Sequence, residues 1–257
     1  MKQLNRSRTP LRTLLTMACM AALPAMADTL AFEDADGTPL TGIVRDGQGF
    51  SQGNYMVHGY AFDPSPGSLV GAVIDGASNS GACVALACGA GNPTSYYAAL
   101  NDGIVEIEHG TAGTAFRLQS FDASYIGNIY LGFQPVAGVL RVQGFRADHS
   151  TVWEDFELVG REQDTPGFDF THFVTSANFA AQQFVTIDFF GFSCNTDGKC
   201  SAFDNLRGQF GIDNIALSAV SAVPEPSSWL TFGAGLLAIG RLARRRRPAA
   251  MPIGAAA

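Results

Sequence analysis

Basic residues are scarce in the body of this chain. Of its 16 Lys and Arg, four lie before residue 13 and five between 241 and 247. Residues 28–220 therefore carry only 7, against 22 Asp and Glu, a net charge of −15 that the whole-chain value of −7 hides. A body this acidic repels phosphate backbones, which excludes nucleic acid as a partner. It suits divalent cations and a setting among extracellular polymers. Helical periodicity is missing too, because no stretch of 28–220 sustains an apolar repeat of about 3.6 residues. The histidines, His58, His109, His149 and His172, stand singly, so none is paired for zinc or for a Ser-His-Asp site. The run 76–81 is not a Gly-x-Ser-x-Gly elbow, and Gly47, Gly49 and Gly53 have the wrong spacing for a dinucleotide loop. No catalytic residue is assigned, and the chain is read as non-enzymatic. No internal repeat is apparent.

What is present reads as strands. Residues 115–119, 152–159 and 184–189 alternate β-branched or aromatic positions with polar ones. Further strands are expected at 29–33, 55–62, 69–74, 104–109, 138–145, 168–174 and 211–218, separated by Asp-Gly, Gly-Asn and Pro-Gly breaks. About ten short strands in under 200 residues predict an all-β body, an antiparallel jelly-roll-like β-sandwich. Glu106 and Glu108 share one strand face, as do Asp155 and Glu157. Such pairs can cleave glycosides, but on an acidic sandwich they read first as a wet face.

With Cys19 in the leader, four cysteines remain: Cys83, Cys88, Cys194 and Cys200. Three pairings are open. Local closure of 83 with 88 and of 194 with 200 is the simplest, at about 2 kcal/mol each by the chain-entropy estimate. A four-thiolate zinc site is the rival. Residues 78–95, rich in Ser, Gly, Ala and Asn, read as a long loop pinned by the first pair; 194–200 is the second pinned loop. Tyr55, Tyr60, Tyr96, Tyr97, Tyr125, Tyr130 and Trp153 suit sugar stacking where they are exposed, since such a ring pairs an apolar face with a polar handle. Tyr96 and Tyr97, beside the first pinned loop, are the preferred stacking residues.

The two ends encode an address. Lys2, Arg6, Arg8 and Arg12 precede the apolar run 14–23 and Ala25-Met26-Ala27, which reads as a signal peptide over 1–27. Near the other end, Pro224-Glu225-Pro226 is followed by an uncharged run over 227–240 and then by Arg241, Arg244, Arg245, Arg246 and Arg247. Seventeen helical residues, 227–243, span only about 26 Å, just under a hydrocarbon core of about 30 Å. Snorkelling arginines make a single short transmembrane helix tolerable. The arginine cluster places its own end in the cytoplasm and residues before 224 outside. This tail resembles the PEP-CTERM sorting signal of Gram-negative bacteria, the substrate tag of exosortases. The resemblance implies an exosortase-like processing enzyme as partner, anchoring in the inner membrane, and sorting to the cell surface or extracellular matrix. The expected layout is a signal peptide over 1–27, a sandwich over 28–220, a sorting signal over 221–247 and a cytoplasmic extension over 248–257.

Two further resemblances concern the body. Phe32-Glu33-Asp34 and Phe210-Gly211-Ile212-Asp213-Asn214-Ile215 are similar to the early and late segments that meet at a structural calcium in jelly-roll carbohydrate-binding modules. That resemblance implies calcium as a cofactor at Glu33 and Asp213. Phe203-Asp204-Asn205, 209–215 and 116–122 resemble the body common to many PEP-CTERM proteins. The resulting expectation is an exported matrix protein associated with exopolysaccharide. The alternatives are a polysaccharide lyase or hydrolase on a jelly-roll scaffold, and a purely structural or adhesive matrix protein.

Overall fold

The computed structural model describes residues 27–33, 42–63, 67–81, 86–128, 134–162 and 167–220, with Gly233, Leu236 and Leu237 in the tail. Apart from Ala27, the expected signal peptide lies outside these residues. So does the tail, apart from those three, which are helical. Among the described residues no helix is long and apolar enough to cross a membrane.

In chain order the strands are β1 (Asp28–Leu30), β2 (Gly42–Arg45), β3 (Gln48–Gln52), β4 (Tyr55–Tyr60) and β5 (Leu69–Asp75). Then come β6 (Leu86–Ala87), β7 (Gly89–Ala90), β8 (Ser95–Ala99), β9 (Ile104–His109) and β10 (Phe116–Asn128). The last are β11 (Val136–Phe145), β12 (Thr151–Val159), β13 (Phe168–Asp169), β14 (Thr171–Val174), β15 (Thr186–Cys194), β16 (Cys200–Ser201) and β17 (Gln209–Ala219). One sheet has eight strands, in the order β14-β10-β17-β8-β5-β2, with β1 on β17 and β6 on β10. The other has seven, in the order β12-β11-β15-β9-β4-β3, with β16 on β15. Pairing within both is antiparallel, and the chain passes repeatedly from one sheet to the other, as in a jelly roll. The expected all-β sandwich is the fold observed.

Alternation places one face of each strand inside. In β15, Ile187 and Phe189 are buried while Asp188, Phe190 and Phe192 face outward. In β12, Phe156 and Leu158 are buried and Trp153, Asp155 and Glu157 are exposed. Phe32, Val57, Ile107, Phe116, Phe121, Leu140, Phe189, Phe210 and Leu217 belong to the core between the sheets. In β17 the inward set shifts from Phe210 and Ile212 to Ile215 and Leu217, which breaks the two-residue period. Asn214 absorbs the shift with φ of +49°, and β10 has its own register break opposite, between Ser120 and Asp122. Asp213 therefore points to the outer face of the eight-stranded sheet.

That outer face is covered. Cys88 packs there with Ile74, Tyr96, Ala98 and Ile126 in a second apolar cluster, with Leu86 and Phe170 against it. The reading of 78–95 as one long loop is thus corrected. It holds a 3-10 turn at Gly76–Gly81, the short strands β6 and β7, and the start of β8. Low-complexity composition concealed strands that pair with β10 and β13 and roof the sheet. The segments β2 and β3, unmarked by alternation, are also strands.

Candidate functional site on the open sheet

Among the described residues no comparable roof lies over the outer face of the seven-stranded sheet, and two sets of side chains meet on it. The first is aromatic. Trp153 and Phe62 are 56% and 61% exposed. Between them runs an unbroken series of contacts. The Arg141 guanidinium lies 5.6 Å from the Trp153 ring and 5.1 Å from Phe192. Phe192 is 5.8 Å from Phe190, Phe190 is 5.4 Å from Phe203, and Phe203 stacks on Phe62 at 4.2 Å. A doubly bonded pair to Asp155, at 2.7 Å on each arm, fixes Arg141. Phe203 adopts φ of +62° and Leu206 +57°. Buried Asp102 holds this strained loop by accepting from the Leu206 and Gly208 amides.

The second set is acidic. Asp188 on β15 stands directly opposite Glu106 on β9, and Glu106 directly opposite His58 on β4. His58 Nδ1 is 3.8 Å from Glu106 Oε1. Glu108 accepts from Thr186 Oγ1 at 3.1 Å. Burial, reinforced by Glu106 and Glu108, pushes the Asp188 carboxyl up to about 7. Burial also raises Glu106, with Glu108 adding to the effect and His58 opposing it. Asp188 Oδ1 is buried without a hydrogen-bond partner. A row of carboxyls beside a ring track can accept hydroxyl hydrogen bonds from a chain lying on the rings.

The residues singled out from sequence fall differently. Tyr96 and Tyr97 are fully buried, which corrects the expectation that they stack on glycans. Tyr97 packs against Phe32 and Phe50 in the core, and Tyr96 packs against Phe170 under the roof. Trp153, Asp155, Glu157, Glu106 and Glu108 do lie on the open face. Cys194 and Cys200 form a disulfide. Cys88 is disulfide-bonded, and Cys83 lies outside the described residues. A four-cysteine zinc site is thereby ruled out. Pro224, Glu225, Pro226, Arg241, Arg244, Arg245, Arg246 and Arg247 lie outside the described residues.

Glu33 and Asp213 sit at one junction, where β1 and β8 meet the same edge of β17. Glu33 Oε1 accepts from the Ser95 amide at 3.2 Å. Asp213 is wholly buried, and its Oδ2 accepts from Asn92 Nδ2 at 2.8 Å and Thr94 Oγ1 at 2.9 Å. Its Oδ1 has no partner, and neither does the buried hydroxyl of Ser95. Burial pushes the Asp213 carboxyl up to about 6, while Asn92, the Asn214 amide and Thr94 pull it down. An orphaned, buried carboxylate oxygen fits a hard cation. Among the described residues no three His, Cys, Asp or Glu side chains gather for a metal, so neutral oxygens would have to complete the shell.

Family comparison agrees with the tail. The PEP-CTERM protein-sorting motif matches residues 222–247. This chain is an all-β sandwich protein that carries that sorting motif. Among solved structures, a DUF4465 family protein from Bacteroides caccae is similar at 14% identity and a TM-score of 0.43, over 79% of this chain and 97% of that one. A family 29 carbohydrate-binding module is similar at 12% identity and a TM-score of 0.29, over 80% and 98%. The module TmCBM61, in complex with β-1,4-galactotriose, is similar at 11% and 0.31, over 65% and 88%. Likeness this loose says nothing of what this chain binds. No curated protein matches it.

Proposed function

We propose that the protein is exported, held at the inner membrane by its C-terminal tail, and processed by an exosortase-like enzyme that reads Pro224-Glu225-Pro226. It then retains exopolysaccharide at the surface or in the matrix through the open face of its sandwich. The observation that carries the binding reading is the run of contacts from Trp153 to Phe62 on a sheet face that no described strand roofs. A track of rings favours an extended chain over a compact ligand held in a pit. The flanking carboxylates favour a chain that is neutral over most of its length.

The test is retention of the producer's own polymer by the purified body. The W153A/F203A pair should lower affinity at least tenfold with the fold intact. Unchanged retention defeats the reading. For the tail, replacing Pro224, Glu225 and Pro226 with Ala should leave export intact and accumulate a full-length membrane form.

A second reading has one observation in its favour. Asp188 and Glu106 are cross-strand neighbours, with Asp188 poised near neutrality, as a general acid would be. Shortening of the polymer, abolished by D188N, would establish it; retention without shortening leaves the protein a binder with no catalytic role.

Calcium belongs to this proposal as a structural ion. Glu33 and Asp213 would hold it, tying the start of the body to its last strand. Added to chelator-treated protein at about 100 times Kd, it should raise Tm by about 5–10 °C. D213N should abolish that rise, and an unmoved Tm in the unaltered protein removes the ion from the account.

A further inference from the structure

At one end of the sandwich lies a cleft of about 430 Å³ between the Cys194–Cys200 loop and the arm that leads to Cys88. Two disulfide-held segments thus wall one cavity: Leu86 on one side, and Cys194 and Cys200 on the other. Among the described residues its lining carries Lys199 and Arg207 and no Asp or Glu. This contrasts with a body in which carboxylates outnumber cations 22 to 7. Three of the other five body cations are engaged. Arg141 pairs with Asp155, Arg146 bonds Gln182 and Ser150, and Arg45 bonds the Gly67 carbonyl. Lys199 and Arg207 have no ion pair among the described residues.

The backbone around them is fixed. The Tyr125 hydroxyl donates to the Arg207 carbonyl at 2.8 Å, and the Arg207 amide donates to Asn205 Oδ1 at 3.0 Å. Asn195 Oδ1 accepts from the Lys199 amide at 2.9 Å. Rigid walls keep the ordering cost of a bound ligand low. The cleft also adjoins the ring track. Cys194 follows Phe192 on the same face of β15. A single loop brings Phe203 to the track and Asn205 and Arg207 to the cleft.

We propose that this cleft binds the carboxylate of a uronate residue, a second site that reads an acidic substituent on the polysaccharide lying along the open face. Two unpaired cations supply the charge-assisted bonds, and the amides of the lining supply partners for the ring hydroxyls. The acidic surroundings limit the ligand to sparse carboxylates, since a polyuronate would be repelled along the rest of its length. The inference rests on the polysaccharide reading for its setting, but its test uses a single sugar whose binding does not need the track.

Methyl glucuronide and methyl glucoside are titrated against the full exported body, followed by amide chemical shifts and calorimetry. The glucuronide should bind with shifts at 193–209, weaken with added salt, and lose at least tenfold in affinity in the K199Q/R207Q variant. W153A, whose site lies on β12 and not on the loop that carries Asn205 and Arg207, should leave that binding unchanged. Equal binding of the glucoside, retention in K199Q/R207Q, or no binding at all would overturn the proposal. If glucuronide binds as expected but W153A/F203A does not affect the polymer, the track reading fails and the cleft stands.

Discussion

The two outer faces of this sandwich are built from the same materials and put them to opposite uses. On the eight-stranded sheet, Tyr96 and Asp213 lie beneath a roof of short strands, with the ring against Phe170 and one carboxylate oxygen bonded to Asn92 and Thr94. On the seven-stranded sheet, Trp153 and Asp188 lie on a face that no strand among the described residues roofs. Cover decides the outcome. A tyrosine under a roof is a core residue, and a tryptophan without one is a platform. The lesson is that an outward-pointing aromatic on a strand declares no role until the segments over it are known.

The sharpest break of this comparison sets Y96A against W153A. Tyr96 is wholly buried, so truncation should cost about 3–5 kcal/mol in urea unfolding. Trp153 is more than half exposed, so its loss should stay within about 0.5 kcal/mol. Polymer affinity should respond in reverse, falling in W153A and holding in whatever fraction of Y96A remains folded. If Y96A folds normally and loses binding, the roof is not a roof.

A smaller effect comes from pH. Asp188 titrates at about 7 and Asp213 at about 6, both above the ordinary carboxyl value of 3.8. In both, the folded state holds a proton that the unfolded chain releases. Their contribution is therefore complete below about pH 4 and is lost as pH rises through 6 to 7. Unfolding scans should show falling stability over that window. D188N, which cannot ionise, should gain almost nothing below about pH 4, on the order of 1–2 kcal/mol at pH 5 and on the order of 4 kcal/mol at pH 8. Calcium should remove the Asp213 part of the slope, on the covered face, and leave the Asp188 part, on the open one. A slope unaltered in D188N would mean that the open-face carboxyl is solvated.

How far these faces were legible in the sequence differs residue by residue. Alternation in 152–159 and 184–189 revealed β12 and β15, and with them the outward aspect of Trp153 and Asp155. The same period extended through 194 would have set Phe190 and Phe192 beside them. The sequence marks Phe62 only as the end of an expected strand and Phe203 only within a family resemblance, and nothing in it joins the two. Both sit beyond strand ends, 141 positions apart, and meet only because Asp102 pins the second loop. The pairing of Glu106 with Asp188 likewise depends on strand order, which no local pattern records. Ser95–Ala99 misled for the converse reason. All five of its residues are buried, so alternation is erased where both faces of a strand are covered.

The finest distinction lies within the open face itself. Arg141 and Asp155 form a two-pronged pair, but their side chains are 28% and 43% exposed. A pair so open to water contributes little to stability, and D155N should cost about 0.5 kcal/mol or less. Its effect on the track should be larger than its effect on the fold. Asp155 holds the guanidinium in place between Trp153 and Phe192, and without that anchor the plane is free to swing off both rings. Polymer affinity should then fall about two- to fivefold while the unfolding midpoint barely moves. If affinity and midpoint fall together, Arg141 is a strut of the sheet; if affinity falls alone, it is a link in the track. The unaltered protein measured at 0.5 M salt separates charge from shape, because screening weakens the ion pair and leaves the ring contacts as they are.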